Sequence, residues 1–249
     1  MPFEPRIYRD TMNHERFRFF NVLKKETDLW IGVSPNHFNN EIKEFTELKL
    51  NYYRSIVENY IAAHPEFLTA LKPLSMENQC QEIIRLMLSA STLASVGPMA
   101  AVAGAFCEML GKEIMKEFLP DELVIENGGD IYLNVKNQIL VQFFAGQNKN
   151  FSNLALCIPG KSGNLGICTS SGMFGHSFSY GKADSVTVVS ESPAIADAYA
   201  TSLCNKINVK TDVPHVLSLA KQIPGILSLT AIKDDEIGII GKYPVKPVS

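Results

Sequence analysis

Leu123-Val124-Ile125-Glu126-Asn127-Gly128-Gly129-Asp130-Ile131-Tyr132-Leu133-Asn134-Val135 reads as two strands meeting at a pair of glycines. Val124 and Ile125 on one side, and Ile131, Leu133 and Val135 on the other, are residues that favour a pleated, half-buried surface. Asn-Gly between such runs is a strong hairpin-turn signal. Gly-Gly beside an acid also permits positive φ and the close approach of a ligand to the backbone. Taken alone the stretch favours a plain turn, so what surrounds it has to decide whether the turn is also a site.

Downstream, Ile139–Phe144, Leu154–Ile158, Gly166–Cys168 and Asp184–Val189 are further strand candidates with little helix among them, which predicts an antiparallel sheet. Upstream, Phe17–Val22 and Asp28–Val33 predict an opening hairpin around Lys24-Lys25-Glu26-Thr27. From Asn36 to Ala63, Ile42, Phe45, Leu48, Leu50, Tyr53, Ile56, Val57 and Tyr60 fall near a 3.6-residue period, and His64-Pro65 stops the helix they imply. Met76–Leu93 predicts a second helix, and Pro98 fits the first turn of a third. Ser192-Pro193 supplies an N-cap and an N1 proline for a helix to about Lys206. A helix over Val213–Lys221 and a closing hairpin of Ile226–Ile232 with Ile237–Ile240 complete the chain. The pattern is α+β, helix-rich over residues 1–120 and sheet-rich over 121–249.

With 249 residues, 46% hydrophobic and 20% charged, the composition is that of a globular protein with a sizeable core. Its net charge of -3 carries no long block of one sign, which argues against a nucleic-acid partner. The most apolar region, Leu86–Leu110, is broken by serines, Gly97, Pro98 and Gly104 and does not read as a membrane span. Pro2, Glu4, Pro5 and Asp10 replace the basic and apolar regions of a secretory signal, so a cytoplasmic location is expected. Cys80, Cys107, Cys157, Cys168 and Cys204 show no zinc-site spacing and are expected to be reduced thiols. Cys168 adjoins Thr169-Ser170-Ser171-Gly172, and a packed and a reactive thiol remain open there. The apolar amino-terminal helices fit a homodimer, and a monomer fits too.

Four segments are rich in ligand-type groups: Gly97–Gly104, Asn127–Asp130, Thr169–Asp184 and Asp197–Thr201. A small-residue helix starting near Pro98 offers amides to an anion, or simply packs tightly. Hydroxyls and amides of Thr169, Ser170, Ser171 and Gly172 suit phosphate oxygens, and His176 suits a base or an anion donor; a polar surface turn is the competing reading. Asp197 and Thr201, at i and i+4, share a helical face, and a carboxylate with a hydroxyl suits Mg²⁺. Thr201 bonding back to the Asp197 carbonyl is the alternative.

The ordered set Gly97-Pro98-Met99-Ala100, Asn127-Gly128-Gly129-Asp130, Thr169-Ser170-Ser171-Gly172 with His176, and Ala196-Asp197-Ala198-Tyr199-Ala200-Thr201 resembles the ApbE-like superfamily, whose characterised members are FAD:protein FMN transferases. His64-Pro65-Glu66-Phe67-Leu68-Thr69 and Gly181-Lys182-Ala183-Asp184 add a likeness to a branch lacking the transferase lysine, over nearly the whole chain. The resemblance implies a two-lobed α+β fold with antiparallel sheets flanked by helices and a nucleotide crevice between the lobes. It also implies FAD or a related nucleotide along Gly97, Met99, Asn127, Gly128, Gly129, Asp130 and Thr169–Gly172. By the same resemblance Mg²⁺ would lie on Asp197, Thr201 and the carbonyl of Ala100, and His176 would be catalytic. Where the transferases carry a lysine this chain has Ala101, Val102 and Ala103, and Ser179-Tyr180 stands for their Asp-Pro. Three functions follow as expectations: a Mg²⁺-assisted flavin-nucleotide transferase or hydrolase, a sulfide-assimilation or homocysteine-forming protein using a thiol, and a non-catalytic nucleotide binder.

Overall fold

The computed structural model describes residues 9, 12–76, 79–143, 151–172 and 181–248. The chain opens with the hairpin of β1 (Arg18–Lys24) and β2 (Thr27–Val33), then the helices α1 (Asn40–Ala63), α2 (Glu66–Thr69), α3 (Glu82–Ala94) and α4 (Val102–Phe118). Six strands follow: β3 (Leu123–Asn127), β4 (Asp130–Asn134), β5 (Ile139–Gln142), β6 (Leu154–Ile158), β7 (Leu165–Ser170) and β8 (Ser185–Ser190). Helices α5 (Pro193–Cys204) and α6 (Val213–Ala220) precede β9 (Ser228–Lys233), β10 (Glu236–Gly241) and the short β11 (Val245–Pro247).

Eight strands form one sheet in the order β1-β2-β3-β4-β7-β8-β9-β10, and β11-β6-β5 form a second. Every pairing is antiparallel. The central strands bury both faces, which explains their nearly continuous apolar runs. Ile125, Cys168, Val188 and Ala231 face a core shared with α1, α3, α4 and α5. Their neighbours Val124, Ile167, Val189 and Ile232 face a second core closed by Val141, Leu156 and Ile158 of the smaller sheet. The fold is therefore three layers: helices, large sheet, small sheet. Elements from both sides of residue 120 share the large sheet and the helical layer, so the expected helix-rich and sheet-rich stretches interleave.

Helix starts depart from the sequence reading for local reasons. Helix α1 begins at Asn40 because the Asn39 side chain accepts the Ile42 amide, while Pro35–His37 forms a separate 3-10 turn. Helix α3 begins at Glu82 and not at Met76; its apolar stripe starts only at Ile83, and Met76 is 48% exposed. Pro98 opens a 3-10 turn, Pro98–Ala101, instead of the first turn of α4. That turn is tied down by Gly97, where a Cβ would sit 1.7 Å from the Ala70 carbonyl oxygen. Among the described residues no single helix is long and apolar enough to cross a membrane.

Candidate functional site

The β3–β4 connection is a two-residue hairpin turn, as expected, but its turn residues are Gly128 (φ 67°) and Gly129 (φ 101°), one position beyond the Asn-Gly pair, with Asn127 pairing with Asp130. The turn is also joined to two of the other polar segments, and the fourth joins them through α4. Asn127 Nδ2 donates to the Ala103 carbonyl at 3.4 Å, at the start of α4. Asp130 Oδ1 accepts the Thr169 amide of β7 at 3.3 Å. Asp197 of α5 accepts the Gly104 amide through Oδ2 at 2.9 Å. The hairpin and ligand readings are thus compatible.

Helix α5 approaches α4 this closely because Gly104 has no side chain; a Cβ there would lie 2.3 Å from the Pro193 carbonyl oxygen and 2.8 Å from Asp197 Cβ. Gly166 does the same for β7, where a Cβ would lie 2.3 Å from Pro193 Cα. The amino end of α5 is wedged between helix and sheet, which aims Asp197 at the first turn of α4. The amides of Ala103 and Gly104 are consequently engaged by Asp197, so the first turn of α4 does not offer these two to an external anion.

Asp130 and Asp197 are both buried, and both carboxyls are pushed up in pKa. For Asp130, burial is the main cause and the neighbouring Asp197 charge adds to it. For Asp197, burial raises the value from 3.8 to about 7. What opposes these shifts is hydrogen bonding: Cys168 and the Thr169 amide on Asp130, and the Gly104 and Ala103 amides on Asp197. Arg9 reaches the neighbouring Glu126 but is committed to it and to Asp28. The site is a buried concentration of carboxyl groups whose ionisation is disfavoured while no cation is bound.

Thr201, one turn beyond Asp197, is 4% exposed, and its Oγ1 has no hydrogen-bond partner. The alternative of a bond back to the Asp197 carbonyl is therefore not realised. The Ser170 hydroxyl is likewise buried and unpartnered. Thr169 Oγ1 lies 2.8 Å from Thr187 Oγ1, and the Gly172 amide donates to the Ala183 carbonyl at 3.0 Å. Met99, Ala100, Val102, Ala103, Gly129, Thr169, Ser171 and Gly172 are half-buried, and Gly128 is exposed at the turn's tip. His176, Ser179 and Tyr180 lie outside the described residues.

A hard cation is the group whose fit can be tested. Among the described residues no three His, Cys, Asp or Glu side chains form a metal-holding cluster. A complete side-chain cage of that kind is absent from them. An orphaned hydroxyl one turn from a buried carboxylate is instead a partial oxygen set, the kind Mg²⁺ accepts when water and phosphate oxygens complete its shell. The residues fit it.

Cys168 is fully buried and donates to the Pro193 carbonyl at 3.4 Å. Burial, then the charges of Asp130 and Asp197, push its thiol well above the ordinary value. A nucleophilic sulfur needs access and thiolate character, so the reactive reading of Cys168 gives way to the packed one. Glu126 and Arg9 escaped the sequence reading. Glu126 looked like one more strand residue, and Arg9, 117 positions away, carried no signal of its role.

Residues 9–220 match the family model described as AbpE bacteria. The chain belongs to this ApbE-like family. The ApbE-like protein is 37% identical to UPF0280 protein MJ1526 of Methanocaldococcus jannaschii over 228 residues, 90% of each chain. It is 33% identical to UPF0280 protein MK0206 of Methanopyrus kandleri over 229 residues, again 90% of each. The flavinyl transferase ApbE of Pseudomonas stutzeri, in its apo form, superposes with a TM-score of 0.58 at 13% identity, covering 90% of this chain and 93% of that one. The apbe protein of Thermotoga maritima does so with a TM-score of 0.58 at 12% identity, covering 86% and 94%. At such identities the likeness speaks to the fold, which is that of the ApbE structures.

Proposed function

We propose that this ApbE-like protein binds a flavin or other phosphorylated nucleotide together with Mg²⁺ in the crevice where α4, the β3–β4 turn, β7 and α5 converge. The observation carrying this reading is the buried, partnerless Thr201 hydroxyl one turn from the buried Asp197 carboxylate. An unpaired buried hydroxyl costs about 1–3 kcal/mol, and a buried carboxylate without a cation costs more. Both costs are relieved by one divalent ion. Asp197, Thr201 and the carbonyl of Ala100 would hold it, and when bound it would neutralise phosphate oxygens of the ligand.

The protein's own groups would do the rest. Asn127–Asp130 would lie along the nucleotide, with Thr169 and Ser171 giving hydroxyls to it and Met99 an apolar wall. His176 would serve as the base. The junction of the 3-10 turn with α4 carries Ala101, Val102 and Ala103, so these positions supply no side-chain cation to stabilise a cleaved pyrophosphate. That favours binding over rapid turnover and keeps a non-catalytic nucleotide binder as the second reading.

The test is calorimetric titration of FAD, FMN and ATP with and without Mg²⁺, with release of AMP or FMN followed in the same samples. Expected are Mg²⁺-dependent FAD binding and a loss of at least about tenfold in affinity for Asp197→Ala, equivalent to about 1.4 kcal/mol. Release that disappears in His176→Ala would identify an enzyme; binding without release, a binding protein. No binding of any of the three in the presence of Mg²⁺ would overturn the proposal.

A further inference from the structure

Gly128 and Gly129 have no side chains to anchor their turn, and a Cβ built on Gly129 meets nothing within 4 Å. Packing therefore does not hold the tip in place. Asn127 and Asp130 anchor the base of the turn, and at the tip the Gly129 amide is held by Glu126, 1% exposed on β3, whose Oε1 accepts it at 2.9 Å. The other oxygen, Oε2, accepts Arg9 Nε at 2.8 Å and lies 2.7 Å from Nη2. Arg9 Nη1 donates to both Asp28 oxygens, at 3.0 and 3.1 Å, and Nη2 to the Asp28 carbonyl at 3.0 Å. The guanidinium also lies 5.6 Å from the ring of Trp30, the chain's one tryptophan and the register partner of Glu126. Its planar fork thus fixes Glu126 to β2 by a route that a lysine would not reproduce.

A matched arrangement stands at the other end of β3. Arg16 pairs with Glu122 at 2.7 Å, and Glu122 Oε1 accepts the amides of Lys136 and Asn137 at 2.8 and 3.0 Å. The same arginine, glutamate and turn-amide combination is used twice, but only the Arg9 pair reaches the turn at the crevice.

We propose that Arg9 and Glu126 are positioning residues for ligand binding, setting the Asn127–Asp130 turn against the crevice through the Gly129 amide; this rests on the nucleotide reading above. The test uses full-length protein and compares Glu126→Ala and Arg9→Lys with Glu122→Ala as the structural control. FAD affinity in Mg²⁺ is measured by calorimetry and by quenching of Trp30 fluorescence, Tm by calorimetric scanning, and exchange of the Gly129 amide by NMR. Expected is a drop in Tm for both alanine variants, but a loss of affinity of more than about tenfold only in Glu126→Ala. Gly129 should exchange at least about tenfold faster in that variant, and Arg9→Lys should fall between it and wild type. If Glu126→Ala does not fold, Arg9→Lys carries the same comparison.

Wild-type affinity in folded Glu126→Ala, or an equal loss in Glu122→Ala, would overturn the proposal. If wild type binds none of FAD, FMN or ATP, the functional reading fails and the exchange measurement alone judges the positioning. Equal Gly129 protection in wild type and Glu126→Ala would then overturn it.

Discussion

At Thr201 a structural residue and a ligand can be told apart by the state of one hydroxyl. A threonine kept for the fold should have its hydroxyl satisfied when buried, and that of Thr201 is not. Thr201→Val keeps the shape and removes the orphan, so the ligand-free protein should gain about 1 kcal/mol in urea unfolding. The same variant should lose most of its Mg²⁺-dependent thermal shift; a full shift retained by it would remove Thr201 from the cation site. The pairing of Asp197 with Thr201 was legible in the sequence because i and i+4 share a face. Whether the hydroxyl was already used was not legible, since that depends on what surrounds α5. Cys168 shows the same limit: its neighbours Thr169–Gly172 hinted at chemistry, while its burial against Pro193 is a tertiary fact.

At the scale of elements, α4 and α5 cap each other. Asp197 of α5 accepts an amide in the first turn of α4, and Glu108 of α4 accepts the Ser192 hydroxyl and, at 3.3 Å, the Ala194 amide at the start of α5. Each helix thus supplies a carboxylate to the positive end of the other, and the residue that would hold the cation is fixed by the crossing. Gly104 makes the crossing possible. Gly104→Ala would gain about 1 kcal/mol in helix propensity, but its methyl would meet backbone at Pro193, which cannot move aside. The steric term should win, with a net loss of about 1–3 kcal/mol in urea unfolding and weaker Mg²⁺ binding. Stability equal to or above wild type would show that the helices separate freely. The hairpins, α1 and the cap of α5 were readable because their signals are local: Asn127-Gly128, His64-Pro65, Ser192-Pro193. The reciprocal caps, the short β11 and the layering of two sheets were not, because each depends on partners far apart in sequence.

For the molecule as a whole, the buried carboxylates dictate how stability responds to pH. Asp197 rises from 3.8 to about 7 on folding, and Asp130 is shifted in the same direction, both chiefly by burial. Between about pH 4 and 7 the native state therefore holds protons that the unfolded chain has released, and stability must fall as pH rises, by up to about 1.4 kcal/mol per pH unit for each proton held. Glu122 acts oppositely: hydrogen bonds from Arg16 and the Asn137 amide overcome burial and lower its pKa, so its contribution is lost as pH falls below the ordinary carboxylate range. Ligand-free protein should then be most stable between about pH 4 and 5, where the two trends cross, and lose Tm steadily towards pH 8. A cation binds the ionised carboxylates and displaces their protons, so the stabilisation by Mg²⁺ should grow over the same interval. Thermal scans from pH 4.5 to 8.5, with and without Mg²⁺, test both halves. Asp197→Asn should make the ligand-free decline shallower, leaving the share due to Asp130, and abolish the Mg²⁺ gain, because the Asp197 carboxylate contributes to both. A ligand-free Tm that climbs from pH 5 to 8 would mean that Asp130 and Asp197 ionise without penalty, and the charge argument for a cation at the crossing of α4 and α5 would fall with it.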